Sequence, residues 1–284
     1  MARIVFVNGE FVSEDEAKIS IFDRGFLFAD AVYEVTSILD GKLVDWQGHF
    51  ERLKRSLREL NITIDFSEKY LLDLHRKIIN KNKLNEGIVY LQVTRGAADR
   101  DFVFENTLKP SLIIFSQSKE IIKPLLVNKG LSVMTSQDIR WQRPDIKTTQ
   151  LLAPSLLKME ALSKSMDDVW MVKDNRITEG TSNNVFIVDS VGKIITRNLS
   201  HDILGGITRA VILKVAKESG LEIEERSFTL EECYSASEAF ITSSSIFIRS
   251  VVRINGKLIG KGKPGEIVGS LISAHLEYCK SHLT

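Results

Sequence analysis

The stretch ITEGTSNNVF, residues 177 to 186, shows how the second half of the chain is built. A strand-like run ends at Thr178, the small polar residues Gly180-Thr181-Ser182 follow, and a second apolar run extends over Val185–Val188. Glycine and serine between two apolar runs indicate a turn that joins two strands. Glu179 stands at the edge of that turn. The stretch therefore predicts β structure that carries a carboxylate where a strand ends.

Outward from this stretch, strands and helices are mixed without a strict alternation. Short apolar runs predict further strands at Leu131–Met134, Val169–Val172 and Ile194–Thr196. Apolar residues at helical spacing predict helices from about Leu151 to Lys164, from about Thr208 to Gly220, and over Ile267–Leu276. This half of the chain is therefore predicted to be α+β.

The first 117 residues show a similar mixture. Asn8-Gly9 and Asp40-Gly41 each separate two apolar runs and predict tight hairpins, because such pairs readily adopt positive φ angles. Helical spacing of Phe50, Leu53, Leu57 and Leu60 predicts an amphipathic helix, and Ser67 can cap a second one. Two more strands are predicted at Ile88–Thr94 and Ser111–Phe115.

A polar segment separates the two halves. SQSKEIIKP, residues 116 to 124, ends in proline and precedes the next set of predicted strands. We therefore predict a small α+β domain over residues 1–117, a linker over 118–124 and a larger domain over 125–284.

Composition excludes several classes of protein. The 284 residues are 43% hydrophobic and 26% charged, and 38 basic residues against 37 acidic ones leave a net charge of +1. Long disorder is not expected, and no overall field attracts nucleic acid or an anionic membrane. Cys233 and Cys279 are too few for a disulfide framework, and no signal peptide or membrane-spanning run is visible, so a cytoplasmic location is expected.

Well-known catalytic signatures are absent from the sequence. It contains no GxSxG, no GxxxxGK[ST], no HExxH and no GxGxxG motif. The five histidines are scattered, so no metal site is predicted.

Three features together match what pyridoxal phosphate requires of a protein. This cofactor needs a lysine that bonds its aldehyde, an acid that faces its ring nitrogen and a cradle for its phosphate. Lys147, Glu179 and the Gly205-Gly206 turn before a helix can supply these in turn. Next to the apolar Ile146, partial desolvation would leave the Lys147 amine free to attack a carbonyl.

Each feature has a simpler interpretation when it is taken alone. Lys147 could be a solvated surface lysine, Glu179 an exposed turn acid, and Gly205-Gly206 a connection before an ordinary N-cap at Thr208. Arg52 could bind a phosphate or be a solvated helix residue, and the polar run Thr242–Ser245 could bind a phosphate or form a turn. Their conjunction favours the cofactor site.

Seven segments, in order, resemble those of the fold-type IV pyridoxal phosphate enzymes, which include D-amino acid and branched-chain aminotransferases and aminodeoxychorismate lyases. They are DRGFLFADAVYEV (23–35), HFERL (49–53), YLQVTRG (90–96), IRWQRPDIKTT (139–149), TEGTSNNVF (178–186), ILGGITR (203–209) and FITSSS (240–245). The chain is most similar to the D-amino acid aminotransferases. The resemblance implies a two-domain α+β fold, with a small α+β domain, a larger domain with a barrel-like sheet and flanking helices, and a homodimer.

The resemblance also implies roles for individual residues. Lys147 would be the Schiff-base lysine and proton shuttle, and Glu179 the partner of the pyridine nitrogen. The remaining implied cofactor contacts are Arg52, Ile207, Thr208 and Ser244 for the phosphate, and Leu204 against the ring. Tyr33 would line the substrate pocket.

One implied feature is incomplete in this sequence. Family members bind the substrate carboxylate partly with an arginine and a histidine two residues apart, contributed by the neighbouring subunit. Arg100 can be aligned with that arginine, but Phe102 then takes the place of the histidine. A phenylalanine cannot donate a hydrogen bond to a carboxylate, so an (R)-amine substrate becomes an alternative. Arg100 could also be a solvated residue in a charged loop.

The predicted activity is therefore a pyridoxal 5'-phosphate-dependent transamination. An amino group would move from a D-amino acid such as D-alanine to a 2-oxo acid such as 2-oxoglutarate, by a ping-pong Schiff-base mechanism. An (R)-amine transaminase, a branched-chain L-amino acid aminotransferase, an aminodeoxychorismate lyase and a non-catalytic cofactor-binding protein are the alternatives. The expected partners are a small amino donor, a 2-oxo acid and a second copy of the chain, with no nucleic acid and no membrane.

Overall fold

The computed structural model describes residues 2–105 and 107–284, which form two compact units. Unit 1 comprises the chain up to Glu120, together with Ile146–Gln150 and His282–Thr284. Unit 2 comprises Ile121–Asp145 and Leu151–Ser281.

A division by sequence position alone, into 1–117, 118–124 and 125–284, does not describe this interleaving. Residues 146–150 belong to unit 1 because Thr148 forms a bridge with Val32. Residues 282–284 belong to it because the backbone groups of Leu43 and Thr284 bond each other in both directions, each at 2.9 Å.

Unit 1 is a sheet with helices packed on it. Its strands are β1 (Ile4–Val7), β2 (Glu10–Ser13), β3 (Ala31–Leu39), β4 (Lys42–Leu43), β5 (Gly87–Thr94) and β6 (Leu112–Ser118). Its helices are α1 (Arg24–Phe28), α2 (Trp46–Glu59) and α3 (Glu68–Asn82). The six strands lie in the order β2-β1-β6-β5-β3-β4, and each neighbouring pair is antiparallel.

Local sequence accounts for several boundaries in unit 1. Both predicted hairpin turns are present, since Asn8 and Gly9 have φ angles of 47° and 107°, and Asp40 and Gly41 have 51° and 70°. Ser67 caps α3 by accepting a hydrogen bond from the Tyr70 N–H at 3.1 Å. The buried face of α2 follows the predicted helical spacing, and it includes polar side chains as well as apolar ones.

Unit 2 contains the larger sheet. Its strands are β7 (Leu131–Gln137), β8 (Asp168–Lys173), β9 (Arg176–Gly180), β10 (Asn184–Val188), β11 (Ile194–Thr196), β12 (Ile223–Glu225), β13 (Glu238–Ser243), β14 (Phe247–Ile254) and β15 (Lys257–Leu258). Its helices are α4 (Ile122–Val127), α5 (Leu152–Ser163), α6 (Ile207–Glu218), α7 (Leu230–Ser235) and α8 (Glu266–Ser281).

The sheet of unit 2 curls back on itself. Its strand order is β12-β11-β10-β13-β14-β7-β8-β9, with β15 paired to β14. The β11/β12, β14/β7 and β7/β8 pairs are parallel, whereas the other pairs are antiparallel. β9 stands at one end of this order and also packs against β10, near the other end. This curled sheet confirms the predicted barrel-like sheet.

The predicted linker contains regular structure that the sequence did not indicate. β6 continues to Ser118. α4 begins at Ile122 because Ile121 and Leu125 are buried and anchor the helix, although charged neighbours hide this apolar pattern in the sequence. Among the described helices, none combines the length and apolar character that crossing a bilayer requires.

Candidate active site

Lys147 is held at the edge of β3 by its own backbone. Its carbonyl accepts a hydrogen bond from the Tyr33 N–H at 3.0 Å, and its N–H donates to Ser56 Oγ on α2 at 3.4 Å. Thr149, two residues after Lys147, donates its N–H to the Ala31 carbonyl at 3.1 Å. The Lys147 side chain is half-buried, and its Nζ lies 4.3 Å from the centroid of the Tyr33 ring. The predicted lysine and the predicted substrate-pocket tyrosine are therefore neighbours.

The Tyr33 ring is supported by aromatic neighbours in unit 1. It stacks on Tyr90 with a centroid distance of 5.5 Å, and Tyr90 stacks on Phe115 at 4.7 Å. These three residues lie on β3, β5 and β6, which are adjacent strands. The stack fixes the position of the ring beside the lysine amine.

Arg52 lies on the buried face of α2 and is clamped by a carboxylate. Its Nε donates to Glu34 Oε1 at 2.8 Å, and its Nη2 donates to Glu34 Oε2 at 2.7 Å. His49 Nδ1 lies 2.7 Å from the same Oε2. Burial works against the charge of Glu34, but the charge and hydrogen bonds of Arg52, with the hydrogen bond to His49, lower the pKa of Glu34 to about 2. Since an ionised carboxylate only accepts hydrogen bonds, His49 Nδ1 carries the proton.

Glu179 is a buried carboxylate in unit 2 that receives three donors. Arg140 Nη1 donates to its Oε1, while Asn184 Nδ2 and the Leu204 N–H donate to its Oε2 at 3.0 and 3.1 Å. The side chain is not the exposed turn acid of the simpler interpretation, since only 5% of the residue is exposed. Burial raises the pKa of Glu179, and the adjacent Arg140 charge opposes this shift.

Arg140 joins Glu179 to a second acid. Its Nε and Nη2 donate to Asp138 at 2.9 and 2.6 Å, and Thr178 Oγ1 donates to Asp138 Oδ2 at 2.8 Å. Burial works against the charged guanidinium, but the hydrogen bonds and charges of the two acids raise the pKa of Arg140. The guanidinium is therefore always charged and fixes the plane of the Glu179 carboxylate.

The N-terminus of α6 lies beside these residues in unit 2. Its N-cap is Gly206, and not Thr208 as the alternative interpretation had it. A Cβ on Gly206 would lie 2.0 Å from Asn184 Oδ1, so only glycine allows this approach. The Asn184 amide also donates to the Leu204 carbonyl at 2.9 Å. Because the same amide donates to Glu179, it connects the chain just before Gly205-Gly206 to that carboxylate. The positive end of a 12-residue helix is suited to an anion.

The loop that carries Arg100 and Phe102 is exposed. The Arg100 guanidinium lies 5.7 Å from the Phe28 ring centroid and 5.3 Å from that of Phe102. Phe102 itself is 75% exposed, and Arg24 anchors the loop by donating to the Asp101 carbonyl at 2.7 Å.

The predicted site residues fall into two groups. Unit 1 brings together Tyr33, Arg52 and Lys147, while Arg100 lies in its exposed loop; unit 2 contains Glu179, Leu204, Ile207, Thr208 and Ser244. In unit 2, Glu179 contacts Leu204 directly, and Ser244 lies in the turn between β13 and β14.

Sequence reasoning missed the residues that hold these groups in place. They are Glu34, His49, Ser56, Arg140 and Asn184. Four of the five lie inside the segments VYEV, HFERL, IRWQRPDIKTT and TEGTSNNVF, but none had been given a role. Polar residues on the otherwise apolar face of α2 were the available signal for His49 and Ser56.

The groups present fit pyridoxal phosphate by their chemistry. A half-buried amine suits an aldehyde, and a buried carboxylate held by three donors suits a protonated ring nitrogen. A glycine-capped helix N-terminus in unit 2 and a clamped guanidinium in unit 1 suit a phosphate dianion.

Comparison with known proteins agrees with the fold. The model of the amino-transferase class IV family matches residues 31–254. A D-alanine aminotransferase from Staphylococcus aureus (strain MSSA476) is 34% identical over 279 residues, covering 98% of each chain, and one from Bacillus licheniformis is 36% identical over 271 residues, covering 95% of each. A solved branched-chain aminotransferase from Thermoproteus uzoniensis, with norvaline, is similar with a TM-score of 0.89 at 22% identity, covering 100% of this chain and 99% of its own. These matches confirm the predicted two-domain α+β fold.

Proposed function

The chain belongs to the class IV aminotransferases, and on this premise we propose that it moves the amino group of D-alanine, or of a similar D-amino acid, to a 2-oxo acid such as 2-oxoglutarate. One observation carries this choice of substrate: the similarity to D-alanine aminotransferases extends over 98% of both chains. Lys147 beside Tyr33, and the buried Glu179, support the same chemistry.

The family uses pyridoxal 5'-phosphate, which supplies an aldehyde and a ring that withdraws electrons from the bonds of the substrate's α-carbon. In our proposal the Lys147 amine would hold the cofactor at its aldehyde carbon until the substrate amine takes its place there, and the freed Lys147 Nζ would then take and return the α proton of the substrate. Glu179, kept in place by Arg140, Asn184 and the Leu204 N–H, would face the ring nitrogen.

The phosphate contacts of the proposal come from several elements. We assign them to Arg52, the N–H groups of Ile207 and Thr208, and Ser244, with Leu204 against the ring. The N-terminus of α6 and the fixed guanidinium of Arg52 support this assignment. Tyr33 lines the substrate pocket in this proposal, and Arg100 binds the substrate carboxylate.

A direct assay distinguishes this function from its alternatives. Holoenzyme with D-alanine and 2-oxoglutarate is expected to yield pyruvate and D-glutamate in equal amounts, measured by chiral chromatography. Parallel reactions contain L-leucine or (R)-1-phenylethylamine, since Phe102 in place of a histidine favours a donor without a carboxylate. Conversion of either donor without conversion of D-alanine would contradict the proposal, and pyruvate formed from aminodeoxychorismate without any 2-oxo acid would indicate the lyase.

We also propose that the protein is a homodimer whose substrate pocket is shared between the subunits. Large apolar side chains are exposed on unit 1, with Phe26 at 72%, Phe102 at 75% and Val103 at 80%. Such a concentration is uncommon on a surface that faces only water. Analytical ultracentrifugation is expected to give twice the mass of one chain, and the mass of a single chain at micromolar concentration would contradict the dimer.

We further propose a cytoplasmic location, which the free thiols of Cys233 and Cys279 support.

A further inference from the structure

We propose that Glu34 is a positioning residue that aims the Arg52 guanidinium at the cofactor phosphate. The inference rests on the proposed function, because it takes Arg52 as a phosphate ligand. It follows from the hydrogen-bonded pair of Glu34 on β3 and Arg52 on α2, which we call the clamp. It also follows from the other partner of Glu34 and from the contacts that β3 and α2 make with Lys147.

Arg52 needs a buried counter-charge where it lies. The face of α2 that carries it also buries Phe50, Leu53 and Leu57. A guanidinium among apolar side chains is stable only if it is paired and hydrogen-bonded. Glu34 meets this need with two hydrogen bonds of 2.8 and 2.7 Å to different nitrogens of Arg52. Two parallel bonds fix the plane and the direction of the fork, which a single contact would leave free to rotate.

Glu34 is itself fixed from a second direction. His49, three residues before Arg52 on α2, donates through Nδ1 to Glu34 Oε2 at 2.7 Å. The carboxylate thus accepts from two side chains of one helix while its backbone belongs to β3. Neither the acid nor the arginine can turn without breaking a buried, charge-assisted hydrogen bond.

The clamp lies between the two backbone contacts of Lys147. Tyr33, which precedes Glu34 on β3, donates its N–H to the Lys147 carbonyl. Ser56, four residues after Arg52 on α2, accepts from the Lys147 N–H. The Glu34–Arg52 pair therefore joins the two elements that present the lysine. The same pair sets the direction of the Arg52 guanidinium, the group that our proposal assigns to the cofactor phosphate.

The test is a double-mutant cycle on cofactor affinity. The dissociation constant of pyridoxal 5'-phosphate is measured, by equilibrium dialysis of the holoenzyme, for the wild type, Glu34→Gln, Arg52→Met and the double variant. Glu34→Gln is expected to weaken binding about tenfold or more, because the amide faces the Arg52 donors with an N–H and turns the fork away. In the Arg52→Met background the same change is expected to alter affinity less than about twofold. The phosphorus-31 resonance of the bound cofactor is expected to shift in Glu34→Gln.

Two further variants separate positioning from general destabilisation. Asp23→Asn is the matched control: Asp23 is also a buried acid of unit 1, but it accepts from the Gly25 N–H and from Thr94 and Ser111 hydroxyls. It is expected to lower the melting temperature and to leave cofactor affinity within about twofold. Glu34→Asp keeps the charge but retracts it by one methylene, and an intermediate loss of affinity is expected. This variant carries the test if Glu34→Gln does not fold.

Three results would overturn the proposal. These are unchanged or tighter cofactor binding in Glu34→Gln, an equal loss in the Arg52→Met background, and unchanged binding in Arg52→Met itself. Failure of this proposal is distinguishable from failure of the proposed function. An enzyme that prefers another amino donor would contradict the proposed substrate in the amino-donor assay but would still show the coupling between Glu34 and Arg52.

Discussion

A Lys147→Ala protein is expected to lose turnover by about 10⁴-fold or more, because no other side chain is proposed to bond the cofactor and to move the α proton. The fold is expected to survive the change. The hydrogen bonds that hold residues 146–150 against β3 and α2 involve the backbone groups of Lys147, which alanine retains. The long-wavelength absorption of a lysine-bonded cofactor is expected to disappear together with activity.

The measurement for this variant is kcat with D-alanine and 2-oxoglutarate, alongside the visible spectrum after addition of pyridoxal 5'-phosphate. Lys54→Ala is the matched control, because Lys54 lies on α2 but is exposed and pairs only weakly with Glu51 at 3.2 Å. It is expected to keep wild-type turnover and spectrum. Turnover of Lys147→Ala within tenfold of the wild type would remove Lys147 from the proposed chemistry.

The second large effect is expected at Glu179. Glu179→Gln is expected to lower kcat by about 10²- to 10³-fold, since a neutral amide cannot stabilise a protonated ring nitrogen. The pocket also opposes the amide, because Arg140, Asn184 and the Leu204 N–H all present donors to this side chain. Glu160→Gln, in which an exposed acid on α5 loses its pairing with Lys164, is the control and is expected to keep full activity. A kcat of Glu179→Gln within threefold of the wild type would contradict the assignment.

The charge of Arg140 is expected to influence the pH at which Glu179 loses its proton. Burial raises the pKa of Glu179, and the Arg140 charge opposes that shift. Arg140→Met removes the largest influence that opposes burial and leaves the hydrogen bond from the Leu204 N–H against it, so the pKa of Glu179 rises further and the carboxylate becomes protonated at a higher pH. The acid limb of the kcat profile is therefore expected to move to higher pH in this variant. A limb that moves to lower pH, or stays in place, would show that Arg140 does not control the charge of Glu179.

The parts of the fold that were predictable from the sequence are those set by local chemistry. Asn8-Gly9 and Asp40-Gly41 specify their turns, and Ser67 specifies a helix start, without reference to distant residues. The apolar spacing within α2 likewise identified the helix and its buried face.

The partners of the site residues depend on contacts between distant segments, which periodicity does not encode. Glu34 and Arg52 are 18 residues apart and meet because α2 packs on β3. Arg140 and Glu179 are 39 residues apart and meet because the loop after β7 lies against β9 in unit 2. The motifs that contain these residues were visible, but which acid faces which base required the three-dimensional arrangement.

Interleaving of the two units constrains how the protein is made. A ribosome that has released residues up to 120 has supplied the strands β1 to β6, yet the lysine that this sheet holds is still to be translated. The backbone partner of Leu43 arrives later still, with residues 282–284. Such contacts between remote parts of a chain slow folding. The nascent sheet must therefore wait for residues 146–150 before its amine-bearing edge is complete, and for residues 282–284 before Leu43 gains its last backbone contacts.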